Sequence, residues 1–111
     1  MKKQTQLLKG VLEGCILLII EQEETYGYEI SQKLADYGFA AISEGSIYPL
    51  LLRLQKEKAI EGSMRKSKAG PKRKYYHLTD EGKKRVELFT SDWKSLAQSV
   101  NRLIDEWEGT V

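Results

Sequence analysis

Cations crowd one short stretch of the chain. Arg65, Lys66, Lys68, Lys72, Arg73 and Lys74 follow one another with no acidic residue between Arg65 and Tyr76. Side chains of this type at this density repel one another unless an anion lies against them, and rows of phosphates are the natural match. The centre of the stretch, Ser67-Lys68-Ala69-Gly70-Pro71, has turn chemistry: Gly accepts positive φ and Pro fixes its own φ. The flanks, Ile60–Arg65 and Arg73–Leu78, are strand-compatible, with Tyr75, Tyr76 and Leu78 supplying packing mass. A basic β-ribbon is therefore expected. Its bland alternative is a solvated hairpin whose charges blunt its edges.

Little else in the 111 residues suggests reactive chemistry. No paired carboxylates, Ser/His/Asp set, metal cluster or phosphate-binding glycine loop can be assembled, and Gly10, Gly14 and Gly27 lack dinucleotide spacing. One cysteine, Cys15, and one histidine, His77, do not make a metal site of the usual type, and Cys15 has no intrachain partner. Neither catalysis nor a cofactor is expected. Net charge is only +2, so the positive charge is local rather than general, with Glu21, Glu23 and Glu24 forming an acidic counterpart elsewhere. Met1-Lys2-Lys3 before an apolar run loosely suggests an export signal, but Lys9 and Glu13 interrupt it. The longest uninterrupted run, Cys15–Ile20, is far short of the ~20 residues that span a bilayer. A cytoplasmic protein is expected.

The elements that must position the basic ribbon are mostly helical. Thr5–Glu24 reads as a helix with Leu7, Leu8, Val11, Leu12, Cys15, Ile16, Leu18, Ile19 and Ile20 on more than one face, so it must be covered on more than one side. Gly10 and Gly14 would let a neighbouring helix come close. Thr25 reads as the N-cap of a second helix, Tyr26–Tyr37, with Ile30 and Leu34 inward and Gly38 as its stop. Phe39–Ile42 form a short connection with the makings of a brief strand. Ser43 caps a third helix to about Glu57, its inward side Ile47, Leu50, Leu51 and Leu54. Pro49 belongs near a helix start, so that helix either begins closer to Ser46 or has irregular first turns. Two helices across a short connection, then a hairpin, is the order of a winged helix-turn-helix, whose second helix of the pair enters a major groove.

Thr79 caps the last helix, expected to reach about Trp107. Val86, Phe89, Trp93, Leu96, Val100, Leu103 and Trp107 recur in alternating steps of three and four, an unbroken heptad seam. A seam this long on a terminal helix asks for a helical partner: the first helix of the same chain, a second copy of the protein, or each for part of the seam. Together with the apolar surplus of the first helix (Leu8, Leu12 and Ile16), it predicts a homodimer. The expected fold class is mainly α with a small β-hairpin (α+β): a winged helix-turn-helix over residues 1–78 and a C-terminal dimerisation helix over 79–111.

The stretches LLKGVLEGCILLII (7–20), YGYEI (26–30), SEGSIYPLLLRL (43–54) and GPKRKYYHLTDEG (70–82), with the terminal helix, together resemble the PadR family of bacterial winged-helix transcriptional regulators, in its short subfamily with one C-terminal helix. The combination, at family spacing, is specific where each piece alone is weak. The resemblance implies a homodimeric repressor on a double-stranded operator with dyad symmetry. Carried over by position, Ser43, Glu44, Gly45, Ser46, Tyr48 and Arg53 of the third helix would face the major groove or its phosphates. Lys68, Gly70, Lys72 and Arg73, flanked by Lys66 and Lys74, would lie on the backbone or the minor groove, and Tyr26 and Tyr28 would touch phosphate or brace the third helix. Some relatives release DNA when an aromatic compound binds between protomers. Trp93 matches an aromatic lining position there, with Leu12, Cys15 and Phe89 as companions, although a plain core role fits Trp93 equally well. The family often has Gly where this chain has Lys58, which puts the cap of the third helix in question. The rival functional class is a winged-helix protein-interaction module without DNA binding.

Overall fold

The computed structural model describes residues 11–39, 42–66 and 70–109. Four helices, α1 (Leu12–Gln22), α2 (Gly27–Asp36), α3 (Glu44–Lys56) and α4 (Asp80–Glu108), surround a sheet of three strands, β1 (Thr25–Tyr26), β2 (Ile60–Lys66) and β3 (Lys72–Leu78). The strand order is β1-β3-β2, antiparallel throughout. This is the expected α+β winged helix-turn-helix with a long terminal helix.

The apolar surplus of α1 is accommodated on both sides. Ile16, Leu17, Ile19 and Ile20 are buried together with Ile30 and Leu34 of α2, Ile47, Leu51 and Leu54 of α3, and Ile60, Tyr76 and Leu78 of the sheet. On its other side α1 meets the first half of α4. A Cβ on Gly14 would lie 2.4 Å from the Phe89 ring, so the absence of a side chain there is what lets the two helices touch. The expected beginning of this helix, with Leu8 and Gly10, lies outside the described residues.

Thr25 does not cap α2. It is extended, pairs with Tyr76 across β1 and β3, and is fully buried, its hydroxyl donating to the Glu29 carboxylate. The N-cap position falls to Tyr26, which makes no side-chain cap bond. The extra strand is thus β1, while Phe39 and Ile42 are not in strand; residues 40–41 of that connection lie outside the described residues. At the other end α2 stops at Gly38 (φ 100°). There the Gly38 N–H donates to Ala35 O (2.9 Å) and the Phe39 N–H to Leu34 O (3.0 Å), the paired bonds of a Schellman motif.

Ser43 caps α3, its Oγ accepting from the Ser46 N–H at 3.2 Å. The helix is continuous from Glu44 with Pro49 inside it. Proline removes one bond and presses on the carbonyl four residues back. That residue is Gly45, whose own Cβ position is nearly open. α3 ends in the same motif as α2, with Lys58 N–H to Gln55 O (3.0 Å) and Ala59 N–H to Leu54 O (2.9 Å), but the left-handed residue is Lys58 at φ 63°. Lys58 therefore takes up the strain that Gly would have avoided, about 1 kcal/mol.

The start of α4 is clamped to the end of α3. The Thr79 hydroxyl donates toward Lys58 O (2.6 Å) and Ala59 O (3.0 Å), the Thr79 N–H donates to Ala59 O, and Thr79 Oγ1 caps Gly82 N–H at 3.1 Å. A Cβ on Gly82 would stand 2.1 Å from Ala59 O, a contact only glycine permits. Arg85 adds an ion pair to Glu57 at 2.6 Å. Val86 is the last buried residue of α4. Beyond Phe89 the helix leaves Trp93, Leu96, Val100, Leu103 and Trp107 exposed.

Candidate nucleic-acid interface

The wing is the β2–β3 hairpin, in register from Ile60↔Leu78 to Lys66↔Lys72. Its middle is braced by rings and cations that cross all three strands. Tyr26 of β1 and Tyr75 of β3 meet edge to face with centroids 5.2 Å apart. The Arg73 guanidinium lies 4.5 Å from the Tyr26 ring and that of Arg65 4.9 Å from Tyr75. Such contacts attract through the ring quadrupole and leave the guanidinium N–H groups available. Arg65 spends one of those donors on Glu24, at 2.6 Å, and this bond holds the Glu24 carboxyl below its ordinary value. Glu24, just after α1, therefore neutralises Arg65 near the outer end of β2, while Lys66, Lys72, Arg73 and Lys74 have no carboxylate partner among the described residues.

A cleft of about 430 Å³ opens between the wing and the two helices of the helix-turn-helix. Tyr26, Gly27 and Tyr28 line it from the start of α2, Glu44 and Tyr48 from α3, and Lys72, Arg73 and Lys74 from β3. The free N–H groups and the positive dipole end of α2 point into the same region. Gly27 has a steric role there: a Cβ would come within 3.0 Å of the Tyr48 ring and hydroxyl, so glycine allows the Tyr48 ring to pack over the start of α2. The Tyr48 hydroxyl donates to Glu44 at 3.2 Å. Partial burial, and then the Glu44 carboxylate, push the Tyr48 phenol above its ordinary value. Beside the cleft, Ser43, Gly45 and Ser46 present the exposed N-terminal turn of α3, and Gly70 sits at the wing tip with φ 141°. Lys66 is exposed opposite Lys72. A cation-lined groove beside an exposed helix start suits a polyanion with a readable edge.

Residues 16–88 match the transcriptional regulator PadR-like family. The chain belongs to that family. A PadR-like transcriptional regulator from Bacillus cereus is 62% identical and superposes with a TM-score of 0.83, over 89% of this chain and 96% of the other. A Streptococcus transcriptional regulator is 52% identical with a TM-score of 0.81, over 88% and 96% of the two chains. PadR of Bacillus subtilis, solved in complex with operator DNA, is 29% identical with a TM-score of 0.64, over 75% of this chain and 46% of that one. Members of the family are transcriptional regulators rather than enzymes.

The expected site residues of this PadR-like regulator do not all gather in one place. Arg53 lies two turns further along α3, where its guanidinium bonds Glu13 of α1 and approaches Glu57 at 3.9 Å. It ties α3 to α1 rather than lining the cleft. Lys68 lies outside the described residues. Of the residues expected between protomers, Ile16 (0% exposed) and Val86 (5%) are buried inside the single chain and cannot reach a partner, a correction forced by the close contact of α1 with the first half of α4. Leu12 and Cys15 are half-buried at the edge of that contact, and burial pushes the Cys15 thiol up. Phe89 covers Gly14, while Trp93, one turn on, is 47% exposed. Gly27 was legible only as part of the YGYEI stretch; its role depends on Tyr48, twenty-one residues away in sequence.

Among the described residues no helix is long and apolar enough to cross a membrane.

Proposed function

We propose that this regulator acts in the cytoplasm as a homodimeric repressor, with the exposed start of α3 in the major groove of an operator and the wing on the adjacent backbone. The observation that carries this reading is the convergence of Lys72, Arg73, Lys74, Tyr28, Tyr48 and the α2 N-terminus on one cleft beside Ser43, Gly45 and Ser46. The operator complex of the Bacillus subtilis relative supports it. Pairing through α4 is supported by the apolar stripe left uncovered beyond Phe89, a pattern that soluble monomers avoid. A two-fold pair would then present its α3 helices to half-sites one or two helical turns apart.

Repression and release by an aromatic compound rest on the family resemblance, together with Trp93 standing exposed next to the Phe89–Gly14 contact on the face a second copy would cover.

A gel-shift series against genomic fragments with excess random duplex tests the reading. Specific retention is expected, with log K falling against log salt at about −0.9 per neutralised phosphate, for on the order of six phosphates per dimer. Retention no better than that of the competitor would leave the winged-helix fold as a protein-binding module instead. Aromatic compounds added to the same gels test release.

A further inference from the structure

Glu44 is out of place on a surface meant for DNA. It stands in the first turn of α3, lines the cleft with Lys72, Arg73 and Lys74, and is half-buried rather than turned out to water. Its hydrogen-bond partner among the described residues is not a cation but the Tyr48 hydroxyl, one turn further along the same helix, at 3.2 Å on Oε2. That bond directs the carboxylate toward Tyr48 and leaves Oε1 without a hydrogen bond among the described residues. Facing a phosphate, such a carboxylate only weakens binding. Facing a base edge, it selects, because a glutamate at neutral pH accepts hydrogen bonds and donates none.

We propose that Glu44 is a specificity-determining residue that requires a cytosine in each operator half-site. The inference deepens the DNA-reading role proposed above and rests on it. In the major groove guanine offers N7 and O6 and thymine offers O4, all acceptors that repel a carboxylate. Only cytosine N4 and adenine N6 carry donors. Adenine N6 lies between its own N7 and the O4 of its paired thymine, so an acceptor-only group meets repulsion on both sides. Cytosine N4 stands at the outer edge of its pair with an acceptor on one side only, so the Oε1 of Glu44 can take its proton without a second clash. The positive dipole end of α3 and the wing cations offset the repulsion between Glu44 and the neighbouring phosphates. Tyr48 acts here as a positioning residue, fixing the carboxylate before the base arrives.

The test is selection from a pool of randomised duplexes by the full-length protein, by Glu44→Gln and by Glu44→Ala, with bound sequences read out and thermal unfolding checked in parallel. The wild type is expected to enrich cytosine at one position of each half-site about tenfold over other bases. Glu44→Gln, which can both donate and accept, moves that position toward adenine and leaves the rest of the motif in place. Glu44→Ala flattens the position. If all three proteins select the same motif, Glu44 does not read the base, and a change confined to thermal stability shows it to serve only the helix dipole. A wild-type motif with no cytosine in its half-site overturns the assignment equally. If the wild type enriches no sequence at all, the DNA-reading role itself fails, an outcome separate from an unshifted motif.

Discussion

Arg73 is held by a ring rather than by a carboxylate, and this decides what it can do. With its guanidinium 4.5 Å from the Tyr26 ring, its orientation is set while its N–H donors remain open. Arg65, by contrast, is already bonded to Glu24 and ties the wing to the segment after α1. The two arginines face each other across the hairpin, Arg65↔Arg73, yet only one is available for a phosphate. Arg73→Ala and Lys72→Ala are therefore each expected to weaken binding on every duplex, specific or random, and to flatten the log K against log salt plot by about 0.9. Fluorescence titration over a range of salt checks this, and an unchanged slope would move the wing off the DNA backbone. Arg65→Ala is the contrast: its effect is expected on the stiffness of the wing and not on that slope. The cationic run was readable in the sequence as a basic hairpin. Which of its members are spent internally was not, because Glu24 meets Arg65 only after the sheet has formed.

At the scale of elements, two helices end in the same motif with different residues. α2 closes on Gly38 and α3 on Lys58 at φ 63°. Lys58→Gly relieves the left-handed strain and is expected to stabilise the fold by about 1 kcal/mol, seen as a rise of several degrees in thermal unfolding. Just before it, Glu57 bridges α3 and α4 through Arg85. That hydrogen bond, with Arg53 adding to it, holds the Glu57 carboxyl below its ordinary value of 4.5. A lowered folded-state value means the contribution is complete above the ordinary value and disappears as pH falls through the lower one. Glu57→Gln is expected to lower stability at neutral pH and to converge on the wild type as pH falls through the lowered Glu57 value, a convergence that melts over a series of acid pH values would reveal.

The local signals of these elements were legible. Ser43 and Thr79 announced their caps and Gly38 its stop, because a cap is decided within one turn of chain. β1 was not legible. A strand of two residues exists only because Tyr75 and Tyr76 lie beside it, and a threonine before a helix looks locally like a cap. The contact of Arg53 was not legible for a similar reason: its partner Glu13 is forty residues away, and helical phase alone says only which side it faces.

The whole molecule is long for its mass, 56 × 30 × 20 Å, because α4 outruns the core it starts from. The heptad pattern in the sequence was continuous, but the structure divides it. Val86 and Phe89 are used inside the protomer against α1, while the stripe from Trp93 onward stays exposed. The division depends on where α1 lies against α4, which no periodicity in α4 records. Leu103, 73% exposed, is a clean probe of the second part. Leu103→Glu is expected to leave the protomer folded by circular dichroism while weakening self-association by roughly thirtyfold or more, read by sedimentation. A variant that still sediments as a pair would place the contact elsewhere on the chain.

The clamp of Thr79, Gly82 and Arg85 on the end of α3 leaves α4 no free joint where it leaves the core. At 29 residues and 1.5 Å per residue the helix is a rod of about 43 Å, and tilting it by about 10° sweeps its far end through about 7 Å. In a pair gripped at the far ends the same lever runs backwards. A modest shift in how the two rods cross would carry the reading heads out of step with the pitch of the double helix. A compound wedged near Trp93 would need only to change that crossing angle, touching neither the wings nor α3, to loosen the grip on DNA.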